Sequence, residues 1–345
     1  MKPIIYSLPR TTEILPIDVS EIIFDTNPSP QLIKYGFNNT SDKLNIVSIT
    51  NSPHYKVGLK FDFQRQDENS FVMKTEKIFN HKINETFCEI WEIFNIFNLL
   101  GKNTSIFTNK SAEINNIIDN YIDFFDSNNK YDVLDDPSNI KSPINLIFMK
   151  YSNINLDENA LIQLIYNDLP MFFNVQDKDS NMVLQLFNIQ TQITVELIQY
   201  LTSLYTESYL IKPLISSDLF DGKYLVLLGL KNPLKLKLPN NSNDSYLLTL
   251  GFKNISEDLI LSIQCMNANI LPAKYELYDK IKSFLDLKVY EGATYQEFIQ
   301  QQNDSTNKWI EIYTDIDKIK TILKNNIEET DKICGSDSQL INYYK

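Results

Sequence analysis

From about residue 84 onward, short apolar runs alternate with stretches in which apolar residues recur at helical spacing. This alternation constrains the fold more than any other feature of the chain. Ile144–Met149 is an apolar run of strand length, and the stretch after Asp157 repeats apolar residues every three or four positions. Strands that alternate with helices are typical of a parallel sheet covered on both faces. We therefore expect an α/β fold with a doubly wound, mostly parallel sheet.

The same patterns predict the individual elements of this region. Further strands are expected at 105–108, 182–187, 209–211, 224–230 and 246–250. Helices are expected over 87–97, after Ser111 as a capping residue, from about Asp157, and over 193–204.

The two ends of the chain have different patterns. Residues 1–80 are predicted to form a β-rich extension, because 55–63 alternate strictly and 44–50 also suit a strand. Residues 81–255 hold the sheet, and 256–345 are predicted to be a helical region whose tail after Lys332 is loose. One apolar stripe in that region comprises Ile312, Ile316, Ile319 and Leu323. It is interpreted as core-facing, with docking of a partner protein as the alternative.

Charge and composition narrow the classes of function. The formal net charge is −12, and Arg10 and Arg65 are the only arginines. Nucleic-acid binding depends on many basic phosphate contacts, for which arginine is well suited. We therefore do not expect this chain to bind RNA alone, although an AT-rich genome would also suppress arginine.

Metal and membrane functions are not indicated. The histidines are His54 and His81, and the three cysteines, Cys88, Cys265 and Cys334, are far apart. This predicts a reducing compartment and no zinc site of the usual kind. The chain has no run of 18 apolar residues and begins without the apolar segment of a signal peptide. We expect a protein of the cytoplasm or of a particle, with no membrane partner.

Several segments, in order, resemble one known family. Residues 182–190, 196–205 and 209–213, followed by Lys223-Tyr224, are similar to its late strand, helix and strand. Residues 87–93, which contain Trp91-Glu92, resemble an early helix, and 295–302 with Lys308-Trp309 resemble the ending of its viral members. From about 84 to 313 the chain thus resembles FtsJ-like cap 2′-O-methyltransferases, including those of large cytoplasmic DNA viruses. The resemblance implies a Rossmann-like methyltransferase fold.

The chain departs from this family where the resemblance places the chemistry. Family members resemble one another in a Lys-Asp-Lys-Glu tetrad, whose central lysine helps to deprotonate the ribose 2′-hydroxyl by lowering its pKa. The matching positions here are Glu89, Lys150, Gln185 and Gly222. Such a set leaves no catalytic residue. Glu89 and Lys150 form either a charge-swapped pair or two unrelated solvated charges, and Gln185 is expected to be a buried amide with backbone partners rather than a substrate contact.

The cofactor site is also expected to be lost. S-adenosylmethionine sites in this fold rest on a glycine-rich turn after the first strand, where glycine lets the backbone approach the ligand. This chain has 8 glycines and none between Gly101 and Gly222. The matching bends, 107–113 and 150–152, consist of residues with side chains, so we expect a filled pocket and no bound cofactor.

A non-catalytic subunit is therefore the leading functional expectation. Poxvirus-like capping enzymes offer a precedent, since their small stimulatory subunit resembles an inactive 2′-O-methyltransferase. The expected partner is a capping enzyme or a virion component, in a cytoplasmic viral factory or in the virion. The alternatives are a divergent, active S-adenosylmethionine-dependent cap methyltransferase and a structural virion protein.

Overall fold

The structure of the protein is a computed structural model that describes residues 2–10, 13–26, 45–101, 103–125, 129–141, 143–151, 157–187, 189–239, 245–288 and 290–335. The strands are β1 (Ile4–Ser7), β2 (Ile23–Asp25), β3 (Thr104–Thr108), β4 (Tyr131–Leu134), β5 (Ile144–Met149), β6 (Gln176–Leu186), β7 (Tyr205–Lys212), β8 (Lys223–Leu230) and β9 (Tyr246–Thr249). The helices are α1 (Ile46–Thr50), α2 (Phe71–Phe79), α3 (Glu85–Ile96), α4 (Ser111–Phe125), α5 (Glu158–Val175), α6 (Gln192–Leu204), α7 (Glu257–Leu287), α8 (Ala293–Tyr313) and α9 (Ile316–Gly335). Short 3-10 helices cover Val19–Glu21, Pro53–Gly58 and Pro137–Asn139.

Within the described ranges, seven strands form one mixed sheet in the order β1-β7-β8-β6-β5-β3-β4. The four strands from β4 to β6 are parallel, whereas β8 runs antiparallel to both of its neighbours. The first strand, β1, pairs antiparallel with β7 at one edge. An α/β fold is thus confirmed, but the sheet is mixed: its pairings from β4 to β6 are parallel, and those from β6 to β1 are antiparallel, which the periodicity did not predict. A separate ribbon of β2 and β9 packs against α5 and α6.

Helices cover both faces of the sheet, and each face has its own apolar core. One core joins the sheet to α5, α6 and the first part of α7. The other joins it to α3, α4, α8 and α9. No helix in the described ranges is both long and apolar enough to cross a membrane.

Within the N-terminal extension the structure has β1 and β2, but the two strands predicted at 44–50 and 55–63 were wrong. Residues 46–50 form α1, which Asn45 caps, and the supposed strand at 55–63 begins as the 3-10 helix Pro53–Gly58. Its carbonyl groups do not meet a neighbouring strand. Those of Lys56, Val57 and Leu59 instead accept hydrogen bonds of 2.8, 3.2 and 3.0 Å from the Gln302 amide on α8. Residue 44 and the segment 27–43 lie outside the described residues.

The apolar stripe at the C-terminal end is divided between two helices. Ile312 belongs to α8, whereas Ile316 begins α9, and Asp315 caps the new helix by accepting a hydrogen bond of 3.0 Å from the Asp317 amide. Ile319 is buried in the core, and Ile312 and Leu323 are partly buried against it. The core-facing interpretation is therefore confirmed. Of the tail after Lys332, residues 336–345 lie outside the described residues.

Candidate functional site

The four positions that match the family tetrad lie close together at the carboxyl ends of the central strands. Gln185, near the end of β6, is opposite Tyr224 of β8 in the strand pairing. A Cβ atom on Gly222 would lie 3.9 Å from the Gln185 amide nitrogen. The Tyr224 hydroxyl donates a hydrogen bond of 2.8 Å to Glu89 on α3. Glu89 in turn forms an ion pair with Lys150, which directly follows β5.

The Glu89–Lys150 ion pair is nearly buried, since the two side chains are 8% and 13% exposed. The ammonium group of Lys150 also donates a 3.0 Å hydrogen bond to the Thr86 hydroxyl. The second carboxylate oxygen of Glu89 accepts a 2.5 Å hydrogen bond from Ser216. Glu89 and Lys150 are therefore an ion pair and not two unrelated solvated charges. The Lys150 charge is therefore already compensated by Glu89 within the protein.

Gln185 was predicted to be a buried amide with backbone partners, and only its burial is as predicted. Its side chain is buried, at 7% exposure, as expected. Its amide oxygen, however, has no hydrogen-bond partner among the described residues, so the expectation of backbone partners was wrong. A neutral amide at this position supplies no positive charge for an acceptor hydroxyl.

The sheet reverses its order between β3 and β5, because the chain runs outward from β3 to β4 and then returns past β3 to β5. Ligands of doubly wound sheets bind at the carboxyl ends of strands at such a switch point. Here the Asn109 side chain joins the ends of β3 and β5. Its oxygen accepts a 3.1 Å hydrogen bond from the Lys150 amide, and its nitrogen donates one of 3.0 Å to the Lys150 carbonyl. We call this pair of bonds the Asn109–Lys150 clasp.

Further polar groups around the switch point are also bonded within the chain. The Thr108 hydroxyl accepts a 3.0 Å hydrogen bond from the Lys110 amide, so the turn after β3 is closed by a side chain. The Ser111 hydroxyl donates a 2.7 Å bond to Asp135, which follows β4. Residues 152–156, which continue the second bend, lie outside the described residues.

Glu92 anchors the loop that follows β7. The side chain is fully buried, and its carboxylate accepts hydrogen bonds of 2.7 and 2.9 Å from the backbone amides of Leu214 and Ile215. The indole of Trp309 donates a third bond, of 2.7 Å. Burial raises the pKa of Glu92 to about 7, against the lowering effect of these donors. The segments that carry the resemblance contain Glu92 and Trp309, but their contact was not predicted.

One buried lysine, Lys212, binds the remainder of that loop, and a second, Lys223, binds α7. Lys212 donates hydrogen bonds of 2.9 and 2.6 Å to the carbonyls of Ser217 and Phe220, and burial lowers its pKa. Burial also lowers the pKa of Lys223 to about 8, and this lysine bonds Asn267 at 3.0 Å. Both lysines lie in segments that carry the resemblance. Each is engaged by groups of the protein itself.

A cavity of about 220 Å³ lies beside this cluster, between the segment 55–64 and the loop 215–220. Glu85, at the start of α3, also lines it. Gly58 fixes the covering segment against α7, because a Cβ atom there would lie 2.4 Å from a side-chain carbon of Ile281. The sequence did not indicate such a cavity, since residues 55–63 were expected to form a strand.

No protein-family model matches the chain. The chain is 51% identical over 344 residues to the uncharacterized protein R383 of Acanthamoeba polyphaga mimivirus, and the alignment covers 99% of each of the two chains. The similarity therefore includes the site residues, the covering segment and the C-terminal helices. The chain belongs to the same protein family as this mimivirus protein.

Proposed function

We propose that the protein is a non-catalytic, methyltransferase-fold subunit that acts by binding a protein of a viral mRNA-capping or transcription apparatus. One observation carries this proposal. The four positions at which the resembled enzymes keep their tetrad meet in space, yet they hold a neutralised ion pair, a neutral amide and a glycine. The framework of such a site is retained without its chemistry.

The strand order supports the methyltransferase part of the proposal. Rossmann-like methyltransferases insert their last strand, reversed, between the two strands that precede it in the sequence. The last strand of the main sheet here, β8, has that position between β6 and β7 and is antiparallel to both. The topology also places Lys150 and Gln185 at the carboxyl ends of neighbouring strands, where a Rossmann-like fold binds its ligands.

The chemistry of the site argues against methyl transfer. Deprotonation of a ribose hydroxyl requires a cation close to the oxygen, and that cation must not be compensated by a protein carboxylate. Lys150 is paired with Glu89, and Lys212 is bonded to two carbonyl groups. The Asn109–Lys150 clasp joins the two strand ends between which a methyl donor would have to lie.

The viral setting of the proposal rests on the mimivirus relative and on the resemblance to viral cap methyltransferases. A net charge of −12 favours a protein partner over RNA bound by this chain alone. We place the protein in the cytoplasmic viral factory or in the virion.

Co-expression with the capping enzyme of the same virus tests the proposal. We expect a stable complex on size-exclusion chromatography and a higher rate of cap methylation by the partner than the partner shows alone. Absence of any association with capping or transcription proteins would overturn the proposal. A high copy number in purified virions, without such a complex, would favour the structural alternative.

A further inference from the structure

The cavity beside Glu85 is too small for a nucleotide-sized ligand. Its volume is about 220 Å³, whereas small-molecule sites usually have about 300–1,000 Å³. A space of this size suits a single long side chain. Because the cavity lies between two surface segments, a side chain of another protein can enter it without unfolding of the sheet.

Aromatic rings form much of the wall. Tyr55, Phe61 and Phe63 line the cavity from one side, and Phe220 lines it from the other. Phe220 is 37% exposed although its loop is firmly anchored. The faces of aromatic rings attract cations, and guanidinium groups stack on them especially well.

The charges of the lining also favour a cation. Lys60 is already paired with Asp218, and the Lys56 ammonium lies 6.0 Å from the centre of the Tyr55 ring. Asp62 and Glu85 add two carboxylates. Among the lining residues, Lys56 and Lys60 balance Asp62 and Glu85. Asp218, the partner of Lys60, lies next to the lining and adds one further negative charge.

Glu85 is the carboxylate that lacks a cation most clearly. It forms no ion pair with a described lysine or arginine, although its side chain reaches the cavity. Desolvation by the surrounding protein and the neighbouring Glu89 raise its pKa to about 7, against smaller effects of Lys150 and Lys212. Glu85 is an exposed residue, so a cation of another protein can reach its carboxylate from the solvent.

We propose that this cavity receives one arginine side chain of a partner protein, with the guanidinium between the aromatic rings and the Glu85 carboxylate. The identity of that partner rests on the proposed function, whereas the binding of arginine does not. Because ionised Glu85 binds a cation better than protonated Glu85, the complex becomes tighter as the pH rises through about 7. The titratable groups that interact with Glu85 are Glu89, Lys150, Lys212, Tyr55, Cys88 and Tyr224.

Titration of the full-length protein with two short blocked peptides, followed by NMR, tests this inference. One peptide has a central arginine, and the other has citrulline, its neutral analogue. We expect the arginine peptide to bind about tenfold more tightly, with shifts at residues 55–63 and 215–220, which corresponds to one added charge interaction of ordinary strength. The Glu85→Gln variant should lose the preference, and Phe220→Ala should weaken binding of both peptides.

Glu257→Gln is the matched control, because Glu257 begins α7 as Glu85 begins α3, so both substitutions remove an acidic residue from a first turn. Its preference for arginine should equal that of the wild type. Equal binding of the two peptides by the wild type would overturn the inference. The inference would also be overturned if guanosine monophosphate shifted the NMR signals of the same residues and the arginine peptide bound no better than the citrulline peptide. The cavity would then be a nucleotide site.

The partner complex separates the two proposals. If the capping enzyme binds wild type and Glu85→Gln equally well, the cavity does not hold its arginine, but the proposed function stands. If the peptides behave as expected and no capping or transcription protein binds, the proposed function fails while the arginine site remains.

Discussion

The indole of Trp309 on α8 donates a hydrogen bond of 2.7 Å to the carboxylate of Glu92 on α3, 217 residues earlier in the chain. A second indole, that of Trp91, donates a bond of 2.9 Å to the Tyr313 carbonyl at the end of α8. Two tryptophans thus join the helix before the first central strand to a helix of the C-terminal region. Because Glu92 also binds the loop after β7, one buried carboxylate holds three parts of the chain together.

Glu92 should make stability depend on pH. Burial raises its pKa from 4.5 to about 7, so between these values the folded chain retains a proton that the unfolded chain releases. The contribution of protonated Glu92 to the free energy of unfolding is therefore complete below about pH 4.5. It is lost as the pH rises toward 7, and its magnitude is about 3 kcal/mol. Urea unfolding across this range should show a smaller loss for Glu92→Gln than for the wild type.

Trp309→Phe keeps the Glu92 carboxyl group but should raise its pKa further. The indole bond lowers the pKa of Glu92, so its removal should move the loss of stability to higher pH. An unchanged pH dependence in both variants would show that Glu92 does not titrate in this range.

Removal of one partner of the Glu89–Lys150 ion pair should lower the free energy of unfolding substantially. Lys150→Ala leaves the Glu89 carboxylate buried without a cation, and we expect a loss of about 3–5 kcal/mol in the free energy of unfolding. The double variant Glu89→Gln/Lys150→Met, which removes both charges, should recover most of this loss. Lys318→Ala breaks an exposed pair with Glu311 and should cost less than about 1 kcal/mol. Equal losses in Lys150→Ala and Lys318→Ala would contradict the buried pair.

Much of the central sheet could be predicted from the sequence, because its elements follow local periodicity. β5 begins and ends at the predicted residues, and the helix expected over 193–204 is α6. Each of these segments buries a face that its own residues define. For Glu89 and Lys150 the sequence left an ion pair and two unrelated charges both open, and the structure has the ion pair.

The segment 53–65 could not be predicted in this way. Apolar and polar residues do alternate in this segment, but its conformation depends on hydrogen bonds from the Gln302 amide. Gln302 lies 246 residues after Lys56, so no local pattern indicates this contact. The Asn109–Lys150 clasp and the bond from Trp309 to Glu92 are also contacts between distant side chains or backbone groups. Local patterns indicate which face of a helix or strand is buried. They do not indicate which distant group forms a hydrogen bond with it.

Gln302 should stabilise the covering segment and the cavity behind it. The side chain is buried, and its oxygen accepts a further bond of 2.9 Å from Arg65. Gln302→Ala leaves three carbonyls and a guanidinium group without this partner, so we expect a loss of about 2–3 kcal/mol. Limited proteolysis should then cut residues 53–65 faster. Gln300→Ala, at an exposed position of the same helix, should change stability by less than about 0.5 kcal/mol; unchanged protection of 53–65 in Gln302→Ala would contradict the anchoring role.

Gly58 should not tolerate a side chain. A Cβ atom there would lie 2.4 Å from Cγ1 of Ile281, so Gly58→Ala forces the segment away from α7 at a cost of about 1–3 kcal/mol. Ile281→Ala removes Cγ1, so Gly58→Ala should cost less in a chain that carries Ile281→Ala than in the wild type. Gly101→Ala is the control, since its nearest contact would be 3.8 Å from Thr104. Thermal unfolding that ranks the two alanine variants in the reverse order would contradict the close approach of the segment to α7.

Calorimetric titration of the full-length protein with S-adenosylmethionine tests most directly whether the site can act as a methyltransferase. We predict no saturable heat at millimolar cofactor, for the wild type and also for Glu89→Lys/Lys150→Asp/Gln185→Lys/Gly222→Glu, which restores the tetrad residue types but leaves the Asn109 side chain across the switch point. Saturable binding of S-adenosylmethionine by the wild type, with methyl transfer to the 2′-hydroxyl of capped RNA, would contradict the proposal.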